Sequence, residues 1–372
     1  MKAKIKKDKL MKALSHLHGV VEKRNTIPIL ANVLIDAKGE TLSLAATDME
    51  IAEIESLNCE ISQEGSLTAS AHILHDIVKK LPEESVIELE SVEGNKLAIK
   101  TDKISFSLMC LPPNDFPDIN SEEFPEGFVI ETSILSRLID KTLFSVSTEE
   151  TRYYLNGIYI HSVLNEDKKE VLRAVATDGH RLSRLSSELP ENASNLSGVI
   201  IPRKTVIELK KILENRQTKV KVKIAKNKIK FIADNIVITS KLLDGAFPDY
   251  ERVIPNNNNK ELVIPTKEFI DAVDRISTLS SDRTRAIKFK LKSKNLKIVA
   301  ENPDQGSAEE EINVHYEGED LEIGFNSKYL LDIARQVSGA HIKFHMADNL
   351  SPTLIYDEDD NLALYLLMPM HI

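Results

Sequence analysis

The stretch Thr177–Asp178–Gly179–His180–Arg181, with Ser183 close behind, gathers a carboxylate, an imidazole and a hydroxyl. A nucleophile system needs those groups facing one another in space, and closeness along the chain does not supply that. Two pairs of histidines recur, His16 with His18 and His72 with His75. A metal site needs further ligands at identifiable positions, and none accompanies either pair. Cys59 and Cys110 stand far apart with no CxxC spacing, which reads as two buried, reduced thiols. No phosphate loop and no GxGxxG is present. The expectation is therefore no catalytic residue, no metal and no cofactor.

The elements that carry these residues repeat. Leu42–Ser43–Leu44–Ala45–Ala46–Thr47–Asp48 returns as Leu172–Arg173–Ala174–Val175–Ala176–Thr177–Asp178, and more weakly as Leu296–Lys297–Ile298–Val299–Ala300–Glu301–Asn302. Leu111–Pro112–Pro113–Asn114–Asp115–Phe116–Pro117–Asp118 returns as Leu242–Leu243–Asp244–Gly245–Ala246–Phe247–Pro248–Asp249, and its third place is Leu366–Leu367–Met368–Pro369–Met370. Such self-similarity marks a module used three times.

Apolar periodicity predicts a helix opening each module, over Asp8–Val20, Thr132–Phe144 and Thr266–Leu279. A second helix sits mid-module, over Ala71–Leu81, Pro202–Leu213 and Ser327–Val337. Asp8, Thr132 and Ser327 are suitable N-caps. Alternating segments follow each helix, so a module reads as two halves of one helix plus three antiparallel strands, an α+β layer. Breaks fall near Glu123–Gly127 and Pro255–Lys260, the latter holding Asn256–Asn259. With few aromatics and no Trp, the core should be aliphatic.

Charge is unevenly spread. Lys and Arg number 48 against 58 Asp and Glu, a formal charge of −10. Yet Arg203–Lys230 holds eleven basic residues, and Lys9, Lys12 and His16 share the outer face of the first helix. His72, His75 and Lys79 do the same on the second. A basic face shared by equivalent helices suits phosphate contact without base reading. The longest apolar run, Ala363–Met370, falls far short of the about 20 residues that span a membrane. The first residues lack an export signal, so a cytoplasmic location is expected.

Several motifs carry a specific likeness. Arg152–Tyr153–Tyr154–Leu155–Asn156–Gly157, Ala176–Thr177–Asp178–Gly179–His180–Arg181–Leu182, Phe247–Pro248–Asp249–Tyr250 and Met368–Pro369–Met370 resemble the bacterial DNA polymerase III beta subunits, the sliding clamps. The likeness extends through Arg24–Asn25–Thr26–Ile27–Pro28–Ile29–Leu30 and Pro202–Arg203–Lys204, and covers essentially the whole chain in order. It departs from the family pattern at His72, Thr284 and His371–Ile372.

The resemblance implies three DNA-clamp domains, at 1–126, 129–254 and 256–372, closing with a second copy into a six-domain homodimeric ring. It implies a non-catalytic processivity subunit that encircles duplex DNA and tethers other proteins through a peptide-binding cleft. The implied partners are the replicative polymerase catalytic subunit, the clamp loader, and other polymerases and repair proteins carrying clamp-binding peptides, with no membrane. By resemblance Arg24, Arg137, Arg152, Tyr153, Tyr154, Arg203 and Lys204 face DNA; Lys12 and Lys79 join them from the helix projection, and His72, on the same face as Lys79, is counted with them although it departs from the family pattern. The cleft would be formed by Leu155, Gly157, Thr177, Gly179, His180, Arg181, Leu182, Pro248, Arg252, Val253, Asn326, Tyr329, Met368, Pro369 and Met370. From the residues alone, Leu155, Leu182 and Val253 read first as ordinary core. Phe106 and Leu279 match apolar interface positions, and Lys103 would pair across that interface with Glu309 and Glu310. Two other readings stand beside the clamp: an enzyme with a dispersed site around Asp178 and His180, and a scaffold with no DNA role.

Overall fold

Alternation in Lys2–Lys6 puts Ala3 and Ile5 inside, and the chain turns straight from that strand into a helix at Lys7. A computed structural model, describing residues 1–22, 26–119, 123–214, 216–281 and 283–371, repeats this join six times. The helices are α1 (Lys7–Val20), α2 (Ala71–Lys80), α3 (Thr132–Asp140), α4 (Arg203–Leu213), α5 (Thr266–Ser277) and α6 (Ser327–Ala334). Each follows a strand of four to six residues without a loop. These leading strands are absent from the sequence reading, because a run of four to six residues holds only two or three periods of alternation. Each half-module therefore has a strand ahead of its helix as well as strands behind it.

The helix ends differ from expectation. Asp8 lies inside α1, whose preceding residue Lys6 makes no side-chain cap. At α6 the cap is Asn326, not Ser327; its side-chain oxygen accepts from the amides of Lys328 and Tyr329. Thr132 begins α3, and its hydroxyl is engaged with the Thr218 peptide instead, accepting from that amide at 2.9 Å. The pattern expected over Thr132–Phe144 breaks after Asp140, and a 3-10 turn follows at Leu143–Ser145.

All strand pairs are antiparallel among the described residues. The chain forms two compact bodies, one of residues 1–136, 190–193 and 204–243, the other of residues 137–189, 194–203 and 244–372. In the first body a 13-stranded sheet runs through the pairing of Ile51–Asn58 with Ile236–Lys241. In the second, a nine-stranded sheet runs through the pairing of Arg181–Glu188 with Asp360–Leu367, beside a four-stranded sheet. The second sequence module gives one half to each body. Pairing across a module boundary satisfies edge amides and carbonyls that would otherwise stand open.

Leu10, Leu14 and Leu17 of α1 are buried against the first sheet, each worth about 1.5–3 kcal/mol relative to exposure. The aliphatic expectation fails in the third module. There Phe269 packs edge-on to Phe344 at 5.3 Å, and Phe289 to Phe325 at 5.3 Å, all four fully buried. These four phenylalanines form a fully buried aromatic cluster in that module. No described helix is long and apolar enough to cross a membrane.

Candidate functional site

Between the strands Glu170–Thr177 and Arg181–Glu188 lies a turn that uses its own side chains. His180 and Arg181 donate their amides to Asp178 Oδ1, both at 3.0 Å. Gly179 donates to Thr177 Oγ1 (3.1 Å), which itself donates to the Arg181 carbonyl (2.6 Å). Gly179 sits at φ +89°, and a Cβ there would come within 2.7 Å of Arg152 Nη1. Asp178 thus holds backbone in place. Ser183 is buried and donates to the Thr142 carbonyl (3.2 Å), while His180 stacks on Tyr329 with centroids 6.3 Å apart. The aspartate, histidine and serine of the sequence do not assemble into a nucleophile system.

The same turn is built at Thr47–Ile51. Met49 donates to Thr47 Oγ1 (3.0 Å), Glu50 and Ile51 donate to Asp48 Oδ1 (2.9 and 2.8 Å), and Met49 takes φ +78°. The repeated Thr–Asp is therefore a repeated turn-forming device.

Arg181 ties the second turn to its surroundings. Its guanidinium donates to Asp178 (3.0 Å), to Asp332 (2.7 Å) and to the Phe144 carbonyl (2.6 Å), and lies 4.3 Å from the Tyr329 ring centroid. Only 7% of its side chain is exposed, so it braces the site from below. Leu182 and Leu155 are also buried, Leu182 against Val175, Tyr250, Leu354, Leu364 and Leu366. Gly157 is buried beneath the Ile201 carbonyl.

Above this floor is an open rim. Val253 is 49% and Met368 36% exposed; His180, Pro248 and Arg252 are exposed too, with Arg252 paired to Asp249 at 2.7 Å. Thr177, Asn326, Tyr329, Pro369 and Met370 are half-buried. The C-terminal segment is pinned by two amides, Met368 to the His180 carbonyl (2.9 Å) and Met370 to the Gly324 carbonyl (2.8 Å). Met368 is thus held beside the turn through the His180 carbonyl.

Comparison with known proteins decides the family. Models of the DNA polymerase III beta subunit match in three consecutive stretches: the N-terminal domain at residues 1–120, the central domain at 129–249 and the C-terminal domain at 251–371. The chain belongs to the DNA polymerase III beta subunit family. The beta sliding clamp of Caulobacter vibrioides is 43% identical over the full length of both chains, and that of Escherichia coli K12 36%. A crystal structure of the Bartonella birtlesii sliding clamp bound to griselimycin superposes with a TM-score of 0.97 at 46% identity, covering all of both chains. The protein is thus a sliding clamp, a non-catalytic processivity subunit of a replicative DNA polymerase.

The other clamp residues named from sequence fall in varied settings. Arg24 lies outside the described residues. Lys12, Lys79 and Arg203 are exposed on their helices. Arg137 pairs with Asp360 (2.5 Å) and Arg152 with Glu149 (3.3 Å). Tyr153, 52% exposed, meets Tyr154 edge-on at 5.8 Å. Two placements depart from an open, DNA-facing one. His72 packs edge-on against His18 at 4.4 Å, with its ring nitrogens screened from solvent. Lys204 donates to Asp48 (2.5 Å) and to the Val20 carbonyl (3.0 Å), so its charge is locally matched. At the expected interface, Lys103 and Phe106 are exposed and Leu279 is half-buried. Glu309 pairs with Lys297 (2.8 Å) and Glu310 with Arg275 (2.5 Å) within the chain.

The sequence reading missed Asp332 and Tyr250. Asp332 is a lone acid in α6 with no local signal. Tyr250 joins a buried relay: Arg173 donates to Glu251 (2.5 Å) and to the Tyr250 oxygen (3.3 Å), and Tyr250 stands 2.9 Å from His161 Nε2. Burial pushes Tyr250 up to about 12. Burial and the nearby Arg173 hold His161 below the ordinary histidine range.

Proposed function

We propose that two copies of this clamp close head to tail around duplex DNA in the cytoplasm, with sequence domains at 1–126, 129–254 and 256–372. Two open strand edges support this reading. Among the described residues Ser105–Leu111 pairs with Gly65–Ser70 only at Thr68–Leu111 and Ala69–Cys110, which leaves its first half open on that side. Gly306–Asn313 is the end strand of the four-stranded sheet. Joining the first edge of one copy to the second edge of the other is a heterologous contact that closes with two chains. Phe106 and Leu279 would supply apolar contact there, and Lys103 would face Glu309 and Glu310.

Duplex DNA would meet Lys12, Lys79, Arg137, Arg152, Tyr153, Tyr154 and Arg203. With phosphate contacts and no base-edge readers, all positions along the duplex have similar energy, so the ring slides. The polymerase catalytic subunit, clamp loader and other replication or repair proteins would dock peptides on the rim of Val253, Met368, Pro248, His180 and Met370. Leu155, Leu182 and Arg181 would support that rim from beneath. A docked polymerase gains a high effective concentration at its template.

The observation that carries the proposal is the full-length match of three consecutive clamp modules. The test is topological. The protein is loaded on nicked circular DNA and passed through a sizing column. It should co-elute with the circle and be lost when the circle is cut. Equal retention on linear and circular DNA would overturn the encircling mode.

A further inference from the structure

Along the strand Ile51–Asn58 buried and half-buried positions alternate, and two of the buried ones, between Ile51 and Leu57, are glutamates. Glu53 is 0% exposed, and neither carboxylate oxygen has a hydrogen-bond partner among the described residues. Glu55 points to the same face of the strand. Its Oε2 lies 2.9 Å from Nδ1 of His16 on α1, and its Oε1 accepts from Asn235 Nδ2 at 3.4 Å. Glu208 of α4 is a third buried acid nearby, and Lys211 is bonded to it (2.7 and 2.9 Å) rather than to Glu53. A buried carboxylate with no counter-charge in contact is strongly unfavourable, so such a group either holds its proton or takes up a positive charge, and a bound ion would displace that proton.

His16, Glu53 and Glu55 each offer one donor atom, and the three atoms lie within 4.8 Å of one another. Donors bound at about 2.0–2.2 Å to one tetrahedral ion stand about 3–4 Å apart, so modest side-chain rotation would bring all three onto it. We propose that His16, Glu53 and Glu55 bind a divalent cation of the zinc or manganese class. One imidazole with two carboxylates suits those ions, whereas magnesium and calcium take oxygen sets. Asn235 orients Glu55 from the outer shell. Glu53 and Glu55 stand opposite Ile238 and Ile236 in the strand pair that joins the first module to the second. A bound ion would clip α1 to that seam and so set how Lys12 is presented.

The experiment uses the full-length protein, stripped with chelator and titrated with zinc chloride by calorimetry and thermal unfolding. One ion per chain and a saturable rise in Tm are expected, with no rise from magnesium. Glu53→Gln keeps the shape and removes the charge; it should weaken zinc by about 100-fold and abolish the rise, while unfolding in chelator no lower than wild type. His16→Gln should weaken zinc similarly, and supplies the result if Glu53→Gln does not fold. Failure of the wild type to bind zinc stoichiometrically would overturn the site. So would wild-type affinity in the folded variants, or an equal response to magnesium.

Discussion

Arg181 and Val253 were both named as cleft residues, but the structure gives them different work. Arg181 is buried and satisfies Asp178 and Asp332. Replacing it with alanine removes the counter-charge of two half-buried acids, Asp178 keeping its amide donors, and should cost about 1–3 kcal/mol in a denaturant titration. Val253 is half-exposed and holds nothing up. Val253→Asp should leave the unfolding midpoint within about 0.5 kcal/mol yet weaken a clamp-binding peptide at least about tenfold, read by fluorescence anisotropy. His161 adds a pH dependence. Its pKa is lowered on folding, so the stability it contributes is present above its unfolded value near 6.5 and is lost as pH falls below that. Thermal unfolding from pH 7 downward should show this loss, and His161→Gln should flatten it.

At the scale of elements, the deciding features are strand edges. The free half of Ser105–Leu111 carries Phe106, 38% exposed, and Met109, 69% exposed. An exposed apolar edge is a template for another strand. Phe106→Asp puts a carboxylate on that edge opposite the expected Glu309 and Glu310. The variant should sediment as a single chain at concentrations where the wild type is a dimer, with unchanged circular dichroism. The repeat and both helices of every module were readable from period and self-similarity. The short strands leading into the helices were not, since four residues such as Phe128–Glu131 hold too little alternation to separate from loop.

For the whole molecule, charge distribution decides more than net charge. The protein is acidic at −10, yet Lys12, Lys79 and Arg203 stand exposed on helices. Arg203→Glu should lower DNA affinity and flatten its dependence on log salt by about 0.9 per lost phosphate contact. Lys204→Glu acts differently, because it places two carboxylates together at Asp48; its main effect should be lost stability. Wild-type protein should run near twice 41.7 kDa.

Sequence alone determined the threefold module, the α+β class and the family likeness, because these rest on local period, repeated turn residues and contiguous motifs. It did not determine which module halves share a sheet, since strand pairing across modules depends on edges that meet only after folding. Nor did it separate Leu182, which is core, from Val253, which is surface. His16 illustrates the limit best. On a helical projection it joins Lys9 and Lys12 on the outer face, but the strand bearing Glu53 and Glu55 covers it, leaving its side chain 12% exposed. A helix projection ranks faces by angle; only packing decides what covers each one.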